Sequence, residues 1–285
     1  MISGRPSLTA QRVAQSRAAH QILDALPHVF DDPLALRILG SGAEHAIRAR
    51  RRRFAAASAR YLRAFLVARS RLAEEALGAA LGRGVSQYVI LGAGLDTFAY
   101  RNPYPAAALR VFEVDHPATQ QWKRALLAQA GIAPPAALTF VPVDFEQQTL
   151  GAALDSAGFD RQLPCFFSWL GVTMYLSREA VIGTLAYVAR LPAGSGVAFD
   201  YAVPPASITP LRRAFYYSRL LRVAAAGEPW RSFFEPLELA GELGTLGLAQ
   251  REDLGPEELN ARLFAARSDG LHTAGPGRLM HAWTA

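Results

Sequence analysis

Gln87-Tyr88-Val89-Ile90-Leu91-Gly92-Ala93-Gly94-Leu95-Asp96-Thr97 decides the fold. A short run rich in apolar and β-branched residues breaks off at two glycines one residue apart, which is the pattern of a buried strand entering a tight turn. Four more short apolar runs follow, at residues 109–114, 138–143, 165–170 and 196–201, with helical periodicity between most of them at 118–130, 150–157 and 178–191. Alternation of near-continuous apolar strands with helices predicts an α/β fold with a Rossmann-like, mostly parallel sheet covered on both faces. Pro142 lacks an amide donor and predicts an irregular end to the third strand.

Outward from this core the texture changes. Before residue 85 the chain reads as helical. Ser7 or Thr9 caps a helix reaching about Leu26, Pro27 closes it, and Phe30-Asp31-Asp32-Pro33 extends the break. Helical spacing returns over 44–81, with room for an interruption, and Gly82 and Gly84 end it. After Tyr201 the prolines at 204 and 205 break the pattern; an amphipathic helix over 211–225, a helix over 236–246, and a weak sixth strand and helix are expected. The expected organisation is one domain: a helical N-terminal cap (1–84), an α/β core (85–201), a helical insertion serving as a substrate lid (202–245) and the rest of the core (246–285).

At 285 residues and 51% hydrophobic composition, the chain can bury a full core without staples. A single cysteine, Cys165, excludes an internal disulfide framework and a cysteine-rich metal site, and fits a reducing cytoplasm. No His/Asp/Glu cluster has metal-ligand spacing, so no metal is expected. No apolar run suits a signal peptide or a membrane span, so a soluble protein is expected. The net charge of +6 is carried almost wholly by arginine, with a cluster at Arg48 and Arg50 to Arg53. Without interleaved aromatics this cluster reads as a solvated helix face or an attractor of acidic small molecules, and nucleic acid is not expected as a partner.

Three features at strand ends carry the chemistry. The glycine turn lets a ligand approach the backbone at the carboxyl end of the first strand, where open α/β sheets bind ligands. Thr97 occupies the third position of the dinucleotide fingerprint Gly-x-Gly-x-x-Gly, which disfavours a nicotinamide dehydrogenase. The second feature is Phe112-Glu113-Val114-Asp115-His116-Pro117, which places an acid about 20 residues past the glycines, where it accepts from ribose hydroxyls. A helix N-cap at Asp115 or His116 is the structural alternative. The third is Val143-Asp144-Phe145, a carboxylate and a ring suited to an exocyclic amine and a purine face, or else a simple turn.

With these motifs in order, the sequence resembles the leucine carboxyl methyltransferase-like family, in particular its bacterial S-adenosylmethionine-dependent branch. Further matching stretches are Phe30-Asp31-Asp32-Pro33, Arg60-Tyr61-Leu62, Ala68-Arg69-Ser70-Arg71 and Trp169-Leu170-Gly171-Val172-Thr173-Met174-Tyr175-Leu176, so that the likeness covers roughly residues 8 to 201. The resemblance implies a class I methyltransferase fold and S-adenosyl-L-methionine as cofactor. It implies that Gly92 and Gly94 line the methionine part, Asp115 holds the ribose, Asp144 and Phe145 flank the adenine, and Arg69 pairs with the cofactor carboxylate. Leu170 stands where some relatives carry glutamate, and the tail beyond Tyr201 matches least.

An O-methyltransferase acting on a small-molecule carboxylate or hydroxyl is the expected function. Methylation of a protein C-terminal carboxylate and non-catalytic nucleotide binding are the alternatives. A carboxylate, ionised at neutral pH, needs no general base, whereas a hydroxyl does. Tyr175, His116 and Tyr201 lie near predicted strand ends and are the candidates. The aromatic residues Phe215, Tyr216, Tyr217, Trp230, Phe233 and Phe234 point to an apolar acceptor or to core packing.

Overall fold

The computed structural model describes residues 7–144, 148–208 and 229–285 and, within 209–228, Arg213, Tyr216, Tyr217, Leu220 and Ala224. Five parallel strands, β1 (Gln87–Leu91), β2 (Arg110–Asp115), β3 (Leu138–Pro142), β4 (Cys165–Trp169) and β5 (Gly196–Ala202), are joined by β6 (Gln250–Leu254) and β7 (Gly277–Trp283). The sheet order is β3-β2-β1-β4-β5-β7-β6, with β7 antiparallel to both neighbours. Successive residues of β1 face opposite layers. Val89 and Leu91 join the core on one side, whereas Tyr88 and Ile90 join that on the other. That two-sided burial makes the strand read as a continuous apolar run. Pro142 closes β3 at the sheet edge, where a missing amide donor costs no internal ladder bond.

The N-terminal helices are α1 (Leu8–Leu23), α2 (Leu34–Arg37), α3 (Ala43–Ala49), α4 (Arg51–Ala55) and α5 (Ala57–Leu81). Ser7 caps α1, its hydroxyl accepting from the Ala10 amide at 3.1 Å. The helical stretch expected over 44–81 is thus three helices. The α5 stripe Ala73, Ala76, Leu77 and Ala80, at three- and four-residue spacing, packs directly on the sheet with Tyr88, Phe166 and Ala198. Arg50, Arg51, Arg52 and Arg53 are exposed, and Arg48 pairs with Glu44 one turn away.

The opposite face is covered by α8 (Leu150–Ser156), α9 (Arg178–Ala189) and α10 (Pro236–Leu246), through Leu154, Leu185 and Leu243 among others. Between the strands lie α6 (Phe98–Arg101) and α7 (Pro117–Gln129), and α11 (Pro256–Leu263) follows β6. At Gly196 a Cβ would lie 2.0 Å from the Trp283 ring, so β5 must begin with glycine to admit that indole from its β7 partner position. The helix expected over 211–225 falls largely outside the described residues, Phe215 included. No helix among the described residues is long and apolar enough to cross a membrane.

Candidate functional site

The strand order reverses at β1, which has β2 on one side and β4 on the other. That is the switch point beyond whose carboxyl end open sheets hold ligands. Here the Gly92-Ala93-Gly94 turn leaves β1 and is fastened at once to the end of β2. The Gly92 and Ala93 amides donate to the Val114 carbonyl at 2.8 and 3.1 Å. The Gly94 amide donates to Asp115 Oδ2 at 2.6 Å. Gly92 and Gly94 have φ of 66° and 46°, the left-handed region that favours glycine. The two sequence motifs, glycines and acid, are therefore one physical unit.

Asp115 also accepts from the His116 amide at 2.7 Å. Burial raises its pKa from the usual carboxylate value, and the two backbone donors oppose that shift. With two lone-pair directions used, an ionised carboxylate retains acceptor capacity for ribose hydroxyls, so its chemistry fits the expected cofactor. Directly beyond the β3 edge, the Val143 amide donates to the Asp115 carbonyl at 2.9 Å, bringing half-buried Asp144 to the same end of the sheet. Phe145 lies outside the described residues.

Glu113, two residues before Asp115, is fully buried and turned to α7. Its Oε2 meets Lys123 Nζ at 2.7 Å, and the Gln120 side chain donates to its carbonyl at 2.8 Å. Burial pushes its carboxyl up to about 7 against the pull of Lys123. Its role is thus in the β2–α7 junction. Asp115 belongs to the glycine turn.

Arg69, on the buried side of α5, is placed at the carboxyl end of the sheet, in an ion pair with Asp200 of β5. Asp200 Oδ1 accepts from the Gly171 amide, and the Asp200 carbonyl accepts from Thr173 Oγ1, both at 2.5 Å. A Cβ at Gly171 would lie 2.8 Å from Arg69 Nη2, so the turn after β4 closes directly over the guanidinium. Asp200 is therefore the present partner of Arg69. A cofactor carboxylate would have to share this arginine with it.

Of the three candidate bases, His116 is the N-cap of α7, with Nδ1 accepting from the Ala118 amide at 3.2 Å ahead of Pro117 at N1. Tyr201 donates its phenol proton to Asp253 Oδ2 at 2.8 Å, and Arg278 holds the same carboxylate. Burial and the Asp253 charge drive the Tyr201 pKa far up, which makes it unsuited to take a proton. This argues against the expectation that Tyr201 serves as a base. Tyr175 is half-buried and closes the 3-10 turn Thr173–Tyr175 after β4.

Two sets of neighbours escaped the motif reading. The space left by the missing side chains of Gly92 and Gly94 is filled by the chain itself. A Cβ on Gly92 would lie 2.4 Å from Val172 Cγ2, and one on Gly94 would lie 3.0 Å from Ala10 Cβ. In addition, Arg17 and Asp32, both buried, reach the residues just after the turn: Arg17 donates to the Leu95 carbonyl, and Thr97 Oγ1 donates to Asp32 Oδ1 at 2.8 Å. The available signal was Asp32 itself, an acid beside Pro33 in the helix break; no side chain caps α2, and the Asp32 carboxylate turns instead to Thr97.

The segment 230–234 runs back over the ends of β4 and β5. The Arg231 amide donates to the Met174 carbonyl at 2.7 Å, Ser232 Oγ to the Thr173 carbonyl at 2.9 Å, and the Phe234 amide to the Ala202 carbonyl at 3.0 Å. This places the Trp230, Phe233 and Tyr216 rings in one cluster, with centroids 5.9 to 6.5 Å apart. Phe234 instead packs into the core against Tyr201. Among the described residues no cluster of His, Cys, Asp and Glu is arranged to hold a metal.

The profile of the leucine carboxyl methyltransferase family matches residues 10–189. YktD of Bacillus subtilis (strain 168), named provisionally as an S-adenosyl-L-methionine-dependent methyltransferase, is 38% identical over 218 residues, which are 76% of this chain and 71% of YktD. A protein of the same provisional name from Mycobacterium sp. (strain KMS) is 36% identical over 185 residues, 62% of this chain and 57% of the relative. Two solved structures share the fold. A DUF574-family protein from Streptomyces avermitilis has a TM-score of 0.55 at 17% identity, with full coverage of both chains. A provisionally named methyltransferase from Thermobifida fusca has a TM-score of 0.55 at 18% identity, covering 99% of this chain and 96% of its own. By its profile match and its likeness to YktD, the chain belongs to the leucine carboxyl methyltransferase family.

Proposed function

We propose that this methyltransferase uses S-adenosyl-L-methionine to methylate an oxygen, and that the acceptor is a small-molecule carboxylate on an apolar body. The observation that carries the cofactor reading is the clasp between the Gly94 amide and Asp115 at the switch point of the sheet. When bound, S-adenosyl-L-methionine supplies an electrophilic methyl group on a sulfonium. Asp115 retains acceptor capacity for ribose hydroxyls, Asp144 stands at the next strand end for the adenine amine, and Arg69 offers a guanidinium near the turn after β4. The protein's work is then placement and exclusion of water, and placement alone contributes roughly 7 to 11 kcal/mol in well-oriented reactions.

Support for a carboxylate comes from the fate of the candidate bases. His116 Nδ1 caps a helix and the Tyr201 phenol is bonded to Asp253, so an acceptor that arrives already ionised asks least of this site. Support for an apolar body comes from the rings of Trp230, Phe233 and Tyr216 over the β4–β5 end. The test is labelling of metabolite and protein fractions with methyl-labelled cofactor. A labelled small molecule that loses its label in mild alkali, formed at a rate nearly flat from about pH 6 to 9, is the expected result. An alkali-stable product with a rate rising about tenfold per pH unit points to a phenol and turns attention to Tyr175. Label on a protein C-terminus selects the protein-methylating alternative.

A further inference from the structure

Between the glycine turn and the N-terminal helices runs a chain of buried and half-buried charges in which methyl transfer has no evident part. Arg17 of α1 donates through Nη2 to the Leu95 carbonyl, lies 3.0 Å from Asp32 Oδ2 through Nε, and lies 3.8 Å from Asp96 Oδ2 through Nη1. Asp32 is wholly buried. Its other oxygen accepts from Thr97 Oγ1 at 2.8 Å and lies 3.6 Å from Arg101 Nε. Arg101 donates to Thr97 Oγ1 at 3.1 Å, pairs with Glu74 of α5, and stacks its guanidinium 4.8 Å above the Phe30 ring. Three segments far apart in sequence thus grip Leu95 to Arg101, the stretch that begins one residue after Gly94.

Such a grip is poorly explained as a stability device. Removing these charges from water is costly, and apolar packing of similar volume stabilises as well or better. What the network supplies is direction. Two left-handed glycines leave the turn free to adopt many conformations, and ordering such residues is entropically unfavourable. One side of the turn is fixed by the bonds to Val114 and Asp115. The other side is fixed by Arg17 on the Leu95 carbonyl and Asp32 on the Thr97 hydroxyl.

We propose that Asp32, held by Arg17, is a positioning residue for the cofactor: through the Thr97 hydroxyl it sets the Leu95–Thr97 backbone and so the presentation of Gly94 and Asp115. This rests on the S-adenosylmethionine reading above. The test is S-adenosylhomocysteine affinity by calorimetry on the full chain, well below the melting temperature of each variant. Thr97→Val keeps shape and removes the hydroxyl; Thr97→Ser keeps the hydroxyl; Asp32→Asn removes the charge. The expected result is affinity weakened about 3- to 30-fold in Thr97→Val and Asp32→Asn, and restored to within about twofold in Thr97→Ser. A merely structural role would lower melting temperatures and leave the affinity of the folded protein unchanged. Wild-type affinity in folded Thr97→Val overturns the proposal whether or not Asp32→Asn folds. Failure of the wild type itself to bind overturns the cofactor reading, and this proposal with it.

Discussion

Replacing Gly92 with alanine adds one methyl group at a point where two separate penalties meet. The residue has φ of 66°, and an L side chain held there costs roughly 1–2 kcal/mol. The new Cβ would also stand 2.4 Å from Val172 Cγ2, with the Val172 Cβ and Cγ1 at 3.6 and 3.7 Å. Val172 is β-branched and stiff about χ1, so it yields only by shifting its backbone, and overpacking of this kind costs about 1–3 kcal/mol. Alanine narrows the unfolded ensemble and returns about 0.5 kcal/mol. The net expectation is a loss of about 2–4 kcal/mol, read by urea unfolding. Val172→Ala removes the opposing methyl groups, so the double variant should keep the φ penalty and lose the steric one. The expected coupling between the two sites is about 1–3 kcal/mol. Coupling below about 0.5 kcal/mol would refute the placement of Val172 on the turn, and a single-variant loss below about 1 kcal/mol would refute the left-handed backbone at Gly92.

Asp115→Asn should fold and bind S-adenosylhomocysteine at least about tenfold more weakly, since losing a charged hydrogen-bond acceptor costs about 1.5–3 kcal/mol; unchanged calorimetric affinity removes Asp115 from the site. Glu113, raised by burial from the usual carboxylate range to about 7, favours the folded state at low pH, and that contribution is lost as pH rises through about 7. Wild-type stability should therefore fall between about pH 5 and 8 more steeply than that of Glu113→Gln, and parallel urea-derived profiles would contradict the burial argument. Cys165 is buried, with its thiol pushed up to about 12 by desolvation, so a thiol reagent at neutral pH should label it only in denaturant; rapid labelling of the native protein would contradict its placement.

The five parallel strands were legible because both faces of each are buried, leaving short apolar runs with no solvent-facing interruptions. Of the last two, β6 was only weakly legible and β7 was not. β6 reads Gln-Arg-Glu-Asp-Leu because it lies at the sheet edge with most side chains in water, and β7 carries Arg278 and His281, which pair with Asp253 and Glu252 across the ladder. The breaks at Arg50 and Ala56 carry no proline or glycine, so periodicity ran through them. The juxtaposition of Gly92, Gly94 and Asp115 was legible because strand ends place them. The Asp32–Thr97 bond joins residues 65 apart in the chain, and only tertiary packing brings them together. Tyr201 looked available at a strand end because sequence does not show its antiparallel neighbour β7, which carries Arg278 and holds Asp253 of β6 within reach of the Tyr201 hydroxyl.

That neighbour also sets an order on folding. β7 enters between β5 and β6, although every other element of the sheet precedes it along the chain. Until residues 277–283 emerge from the ribosome, β5 has an open edge along a strand whose seven residues are all buried in the finished protein. An apolar edge of that length is a template for pairing with other chains. The insertion is also non-local, and such pairings form slowly because loop closure precedes the contacts that reward it. A nascent chain that stalls before Gly277 therefore leaves the β5 edge open to its neighbours on the polysome, a hazard that pairing with β7 removes.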